Sequence, residues 1–283
     1  MRTIAHLSDP HFGRLRHTTL EALISWVASA KPDLVVVSGD LTQRAKRAEF
    51  EQARRFLDAL PCPQIVVPGN HDVPLYNIFA RTLKPLSNYR RYISEDLEPF
   101  YSDDEIAVLG INTTRSLTFK NGRLNRKQVD QTSARMNACA TNVTRIIVTH
   151  HPFDLPIAHK GKDLVGRASM AMESFAKCGV DLILSGHLHV SHTGESATRY
   201  KIPGHSALLI QAGTATSSRG RGELNAFNVI QVDHPRISIK RMTWNEKRGS
   251  FVASLTDHFE KTARSWSRIS DTKEDQEEGR LKR

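Results

Sequence analysis

Long apolar runs and cysteine are scarce in this chain of 283 residues. It holds no run of about 18 apolar residues, so we expect no transmembrane helix. Its three cysteines, Cys62, Cys139 and Cys178, match no zinc motif in their spacing, so we expect unpaired thiols in a reducing compartment and a cytoplasmic protein. The first residues lead directly into a candidate strand, and we expect no signal peptide.

Acidic residues are also in the minority. The chain has 30 Asp and Glu against 40 Lys and Arg, which gives a formal net charge of +10. The segment from Thr256 onward is neutral, so the excess belongs to residues 1–255. A basic body favours an anionic partner, such as a phosphate compound, a nucleic acid or an acidic membrane surface. The alternative, that the charge only keeps the protein in solution, stays open.

Short apolar runs alternate with helical patterns over the first two thirds of the chain. Apolar residues at helical spacing predict helices over residues 18–29, 48–60, 125–137 and 168–177. The intervening runs predict buried strands: TIAHL, LVVVS, IVVPG, AVLGIN, RIIVTHH and DLILS. Strand–helix–strand repeats of this length are typical of an α/β fold with a largely parallel sheet.

Two regions depart from this alternation. Residues 74–104 mix aromatic and charged residues without a clean period and predict an irregular helical insert that forms either a rim or a lid. After His189, three short runs predict antiparallel strands that close a second sheet. We expect one domain over residues 1–255 and a partly helical or disordered tail over 256–283, with its helical face formed by Leu255, Phe259, Ala263 and Trp266.

Five of the predicted strands end on residues that can bind a metal. In open α/β sheets, ligands bind beyond the carboxyl ends of the strands, so these side chains are expected to converge. A lone histidine at a strand end is more often a hydrogen-bonded structural residue, but five such ends in order are hard to explain by chance. The candidates are Asp9 and His11, Asp40, Asn70 and His71, His150 and His151, and His187 and His189.

This mixture of ligands has a chemical meaning. Nitrogen and oxygen ligands without thiolate suit Zn, Mn or Fe. A carboxylate can bridge two cations, whereas neutral imidazoles bind firmly without adding negative charge. Two divalent metals about 3.5–4 Å apart suit the hydrolysis of phosphate esters. The sequence therefore predicts a hydrolytic site with two metal ions.

In this order the motifs DPH, GD, GNHD, HHP and GHLH resemble the signature of the calcineurin-like metallophosphoesterase superfamily. The resemblance implies a four-layer αββα sandwich, with two mixed sheets flanked by helices, and a dinuclear site. It implies a bridging role for Asp40, attack on phosphorus by a hydroxide between the metals, and stabilisation of charge or protonation of the leaving oxygen by His71. One metal would take Asp9, His11, Asp40 and His189, and the other Asp40, Asn70, His150 and His187.

Two positions in this assignment need comment. His150 and His151 are adjacent, and successive side chains of a strand face opposite ways, so only one can be a ligand. The family position is His150, which leaves His151 as a possible substrate contact. Some relatives place an aspartate shortly after GD to orient the GNHD histidine; here residues 41–44 are LTQR, so the partner of His71 is unassigned.

The style of the motifs is most similar to bacterial class III cyclic-nucleotide phosphodiesterases. The resemblance implies hydrolysis of small phosphodiesters, with cyclic nucleotides among the candidates. A larger anionic substrate, either nucleic acid or a phospholipid-like headgroup compound, is the alternative. A non-catalytic scaffold is disfavoured because no ligand is lost. Arg219 and Arg221 are candidate phosphate contacts because guanidinium suits phosphate oxygens, although a solvated loop is equally consistent with them.

Overall fold

The computed structural model describes residues 1–116, 118, 120–156, 161–218, 222–262 and 265–269. In this part of the chain, no helix is long and apolar enough to cross a membrane.

The described residues form seven helices and thirteen strands. The helices are α1 (His17–Ala30), α2 (Arg47–Asp58), α3 (Ile78–Leu83), α4 (Ser87–Tyr92), α5 (Arg126–Asn137), α6 (Ala168–Lys177) and α7 (Ser196–Tyr200). The strands are β1 (Arg2–Leu7), β2 (Leu34–Val37), β3 (Gln64–Val66), β4 (Phe100–Ser102), β5 (Ile106–Gly110), β6 (Thr144–Val148), β7 (Leu182–Ser185), β8 (His192–Glu195), β9 (Leu208–Gln211), β10 (Ala226–Asp233), β11 (Arg236–Asn245), β12 (Ser250–Thr262) and β13 (Ser265–Ile269).

The strands form two mixed sheets. The first has seven strands in the order β13-β12-β11-β10-β1-β2-β3, and the second has six in the order β4-β5-β6-β7-β9-β8. Strands β1, β2 and β3 are parallel to one another, as are β5, β6, β7 and β9. Antiparallel strands complete both sheets. The carboxyl ends of the parallel strands thus meet at one edge of each sheet.

The side chains of each strand point alternately to the two faces of its sheet, and this alternation explains the layers. Val36 joins a buried cluster with Ile146 and Leu184 of the other sheet, so this face packs sheet against sheet. Its neighbours Val35 and Val37 point to the opposite face and pack with residues of α1 and α2. The outer face of the second sheet packs against α5 and α6 in the same way. The predicted four-layer αββα sandwich is therefore confirmed.

The strands after His189 were expected to be antiparallel and to close a second sheet, and both expectations are wrong in part. Strand β9 lies parallel to β7 in the second sheet, and β10 and β11, although antiparallel, extend the first sheet beside β1. Local sequence patterns identify such strands but do not indicate which sheet they join. Helices α3 and α4 and strand β4 occupy the irregular insert.

The expected helix at the start of the tail is wrong for the described residues. Strand β12 runs through Leu255 and Phe259 without interruption, and β13 contains Trp266, so the first sheet continues to residue 269. A spacing of four residues places side chains on one face of a strand as well as a helix, which is why the pattern misled. Ala263 and residues 270–283 lie outside the described part.

Candidate metal centre

The predicted metal ligands lie in the loops that follow five parallel strands. Asp9 and His11 follow β1, Asp40 follows β2, and Asn70 opens a short 3-10 turn after β3. The remaining ligands, which follow β6 and β7, are His150, His187 and His189. All except Asn70 are buried, so the chain encloses this polar set.

Asp9, His11, Asp40 and His189 form the first cluster, with potential ligand atoms all within 4.8 Å of one another. The Oδ1 atom of Asp9 lies 3.3 Å from Nε2 of His189 and 3.7 Å from Nε2 of His11. The same His11 nitrogen lies 3.8 Å from Oδ2 of Asp40. These residues are the set that the resemblance implies for one metal.

Nε2 of His150 is at the centre of the second cluster. It lies 3.3 Å from Oδ1 of Asp40, 3.1 Å from Oδ1 of Asn70 and 3.2 Å from Nδ1 of His187. Asp40 therefore approaches both clusters, with Oδ2 toward the first and Oδ1 toward the second. A carboxylate in this position has the geometry of a bridging ligand.

The hydrogen bonding of the clusters fits bound cations. Nδ1 of His11 lies 3.3 Å from the carbonyl of Thr42, and Nδ1 of His150 lies 2.8 Å from that of Ser38. A proton on each Nδ1 leaves Nε2 as the nitrogen that faces the ligands, the usual arrangement of metal-binding histidines. Oδ1 of Asp9 and Nε2 of His187 are buried without a hydrogen-bond partner. A buried polar atom without a partner is costly, and a cation in the first cluster would satisfy Oδ1 of Asp9, which faces the ring nitrogens of His11 and His189.

Backbone strain is concentrated at the same residues. Five predicted ligands have left-handed φ angles, which cost roughly 1–3 kcal/mol each in residues other than glycine. The angles are 50° at Asp9, 51° at His11, 52° at Asp40, 75° at His187 and 61° at His189. The loops therefore hold these side chains in an unfavourable backbone conformation, as is common at functional sites.

Charges in the metal-free site are distributed unevenly. Burial lowers the pKa of His150, but the carboxylates of Asp40 and Asp9 and the carbonyl of Ser38 together outweigh this effect and raise the pKa to about 9. Burial alone would raise the pKa of Asp40, but His150 and His71 hold it well below its usual value. Burial lowers the pKa of His11 to about 4 and that of His187 well below its usual value. His150 therefore carries a proton near neutral pH, whereas His11 and His187 do not.

Asp72 fastens together the two loops that carry Asp40 and Asn70. Its Oδ2 atom accepts hydrogen bonds from the backbone N–H of Gly69 at 2.9 Å and of Leu41 at 3.2 Å. Its Oδ1 atom accepts from the backbone N–H and the hydroxyl of Thr42, at 2.8 and 2.9 Å. The sequence offered this carboxylate as part of GNHD but indicated no role for it.

The orienting partner that the sequence left unassigned is a backbone group. Nδ1 of His71 donates to the carbonyl oxygen of Gln43 at 2.9 Å. The backbone N–H of His71 donates to Oδ1 of Asp40 at 2.8 Å. His71 therefore lies beside the clusters, with its ring held through one nitrogen. Side-chain motifs carry no signal for a carbonyl partner of this kind.

A cleft of about 220 Å³ opens over these residues, with His71, Asn70 and His187 in its wall. Two basic residues, Arg44 and Lys120, and two apolar residues, Val73 and Leu75, also line the cleft. Sequence reasoning missed these four because they lie outside the motifs. The cleft offers positive charge and apolar surface together.

The structure gives less support to the predicted substrate contacts, which are His151, Arg219 and Arg221. Nδ1 of His151 lies 2.7 Å from the hydroxyl of Thr113, and Nε2 lies 2.9 Å from the carbonyl of Lys120. Because both ring nitrogens are already hydrogen-bonded, contact with substrate would require one of these bonds to break. Arg219 and Arg221 lie outside the described residues.

Comparison with known proteins places this geometry in a family. Residues 2–191 match the model of the calcineurin-like phosphoesterase family, and the chain belongs to that family. The predicted enzyme class, a metal-dependent phosphoesterase, is thereby confirmed.

Two curated bacterial relatives carry more specific names. The chain is 26% identical over 221 residues to the glycerophosphodiester phosphodiesterase GpdQ of Enterobacter lignolyticus. This alignment covers 71% of this chain and 78% of the relative. It is 29% identical over 201 residues to a probable cyclic nucleotide phosphodiesterase of a Synechococcus strain, covering 66% of this chain and 73% of the relative.

Solved structures support the fold. A dimetal phosphatase from Danio rerio aligns with a TM-score of 0.63 at 14% identity, covering 89% of this chain and 98% of that one. The purple acid phosphatase PPD1 from yellow lupin seeds aligns with a TM-score of 0.69 at 12% identity, and the alignment covers 90% of this chain and 53% of that one.

Proposed function

We propose that this protein hydrolyses small phosphodiesters, with cyclic nucleotides among the candidate substrates, at a centre that holds two divalent metal ions. The observation that carries the proposal is the position of Asp40, which directs one carboxylate oxygen toward each of two ligand clusters. When bound, two such ions supply Lewis-acid polarisation of the phosphoryl oxygens and lower the pKa of water. Mn, Fe and Zn all suit the ligands.

The side chains of the site would bind the metal ions and transfer a proton. Asp9, His11, Asp40 and His189 would hold one ion, and Asp40, Asn70, His150 and His187 the other. The Gln43 carbonyl holds the Nδ1 proton of His71, so the other ring nitrogen, Nε2, is the one available for proton transfer. We assign protonation of the leaving oxygen to this Nε2 atom.

The cleft supports a diester of modest size. Arg44 provides positive charge for a phosphate, whereas the ammonium of Lys120 is paired with Asp163. Val73 and Leu75 provide an apolar wall for a second ester group. A monoester lacks this second group and carries more negative charge. A volume of about 220 Å³ suits a small molecule better than a polymer. The relatives named as phosphodiesterases support the same substrate class. His151, Arg219 and Arg221 remain proposed substrate contacts.

The test is hydrolysis by the metal-loaded protein of bis(p-nitrophenyl) phosphate, p-nitrophenyl phosphate, glycerophosphodiesters, 2′,3′- and 3′,5′-cyclic nucleotides and short DNA. We expect diester cleavage well above monoester cleavage. Asn70→Ala should lose metal and activity, whereas His71→Ala should keep its metals and lose turnover by about 10²–10⁴-fold. The control is His17→Ala, at an exposed position on α1. A preference for monoesters, or full activity in His71→Ala, would contradict the proposal.

A further inference from the structure

Helix α3 and the residue two positions before it expose large apolar side chains to solvent. We call these residues, Tyr76, Ile78, Phe79 and Leu83, the α3 patch. Their exposed fractions are 78%, 70%, 81% and 76%. Single exposed apolar residues are ordinary on a protein surface, but several within eight positions of a short segment mark an interaction surface.

The orientation of α3 is fixed by its one cation. Arg81 is only 3% exposed, and its guanidinium donates to the backbone carbonyls of Ser116 at 2.7 Å, Pro74 at 3.0 Å and Thr118 at 2.5 Å. The charged side chain thus faces the protein while the apolar side chains face outward. This is the reverse of the usual surface helix. The hydrogen bonds of Arg81 therefore hold the α3 patch outward.

The chain segment that carries the α3 patch is basic. Residues 73–94 contain four basic residues and no acidic residue, although Arg81 is buried and Arg90 pairs with Glu95. Lys84 is exposed directly after Leu83, and the guanidinium of Arg44 lies over the ring of Tyr76, 5.2 Å from its centroid. Such a border favours an anionic partner. A two-fold contact with a second copy would bring the same cationic surface against itself, which is unfavourable.

We propose that the α3 patch docks this protein on an anionic phospholipid surface. Apolar and aromatic side chains beside basic residues are the combination that binds the boundary between headgroups and acyl chains. The α3 patch would enter that boundary, with Lys84 against the lipid phosphates. Leu75 lines the cleft and directly precedes Tyr76, so docking brings the mouth of the cleft close to the lipid surface.

The experiment is co-sedimentation of the full chain with unilamellar vesicles. One set contains phosphatidylcholine alone, and the other contains phosphatidylcholine with phosphatidylglycerol, each at low and high NaCl. The test variant is the double substitution Ile78→Ser/Phe79→Ser. The matched control is Leu255→Ser, because Leu255 is an exposed apolar residue on β12 and is 45% exposed. Hydrolysis of bis(p-nitrophenyl) phosphate in solution and the size of each variant on gel filtration are recorded in parallel.

We expect the unaltered chain and Leu255→Ser to bind the phosphatidylglycerol vesicles, more weakly at high salt because screening reduces attraction to the lipid charge. The double variant should bind about tenfold more weakly or worse, since it removes two large apolar groups. Hydrolysis in solution should be equal in all three proteins. Because binding is measured without catalysis, its outcome is independent of the proposed function.

Two results would overturn the proposal. One is equal, weak sedimentation of all proteins with both kinds of vesicle. The other is a dimer of the unaltered chain that becomes a monomer only in Ile78→Ser/Phe79→Ser while vesicles are not bound, which would assign the α3 patch to a second copy.

Discussion

Oδ1 of Asp40 lies 3.3 Å from Nε2 of His150 in a fully buried ion pair. This carboxylate, together with Asp9 and the carbonyl of Ser38, raises the pKa of His150 to about 9 despite burial, so the metal-free protein keeps a proton where a metal ligand is needed. A histidine binds metal through a neutral ring, so metal and proton compete for this nitrogen.

Metal binding should therefore release about one proton near pH 7. Since the pKa of His150 in the folded chain is about 9, apparent metal affinity should rise with pH up to that value and level off above it. Calorimetric titration in two buffers of different ionisation enthalpy measures the number of protons released. The His150→Ala variant should release about one proton fewer per chain. Equal proton release by both proteins would contradict this assignment.

Gly186 precedes His187 and leaves no room for a side chain. A Cβ atom at this position would lie 1.7 Å from Oγ of Ser8 and 2.6 Å from Oδ2 of Asp9. Gly186→Ala should therefore displace Asp9, reduce bound metal and lower the free energy of unfolding by about 1–3 kcal/mol. Urea unfolding and metal analysis measure both effects. Gly161→Ala is the control, because a Cβ there meets nothing within 4 Å. Equal behaviour of the two variants would refute the argument.

Asp72→Asn tests the fastening of the two loops. Asp72 accepts four hydrogen bonds, and an amide must replace one acceptor oxygen with a donor that faces other donors. We expect a loss of about 1–3 kcal/mol in the free energy of unfolding, measured with urea. Turnover should fall as well, because the Gln43 carbonyl that holds His71 belongs to the same loop. Asp130→Asn, at an exposed position on α5, is the control and should match the unaltered chain.

Much of this architecture was predictable from the sequence. The helices α1, α2, α5 and α6 start within one residue of their predicted starts, because each has an apolar face at helical spacing. The clustering of Asp9, Asp40 and His150 follows from the rule that parallel strands share a carboxyl edge. The sequence thus predicts that residues separated by more than 100 positions lie close together in the structure.

The remainder depended on tertiary contacts. The Gln43 carbonyl that orients His71, and Arg44 and Lys120 in the cleft, carry no local signal. Strand β12 was mistaken for a helix because its apolar residues fit both periods. The sequence also did not predict that the apolar face of α3 points outward, because this orientation follows from the buried hydrogen bonds of Arg81.

The most direct test of the central claim is the number of metal ions bound per chain, determined by elemental mass spectrometry after metal loading and dialysis. The account predicts two ions in the unaltered chain and about one in each of His11→Ala and His150→Ala. It also predicts that chelation abolishes phosphodiester hydrolysis and that returning the metal restores it. Full hydrolysis by a chain that holds one ion or none would contradict the account.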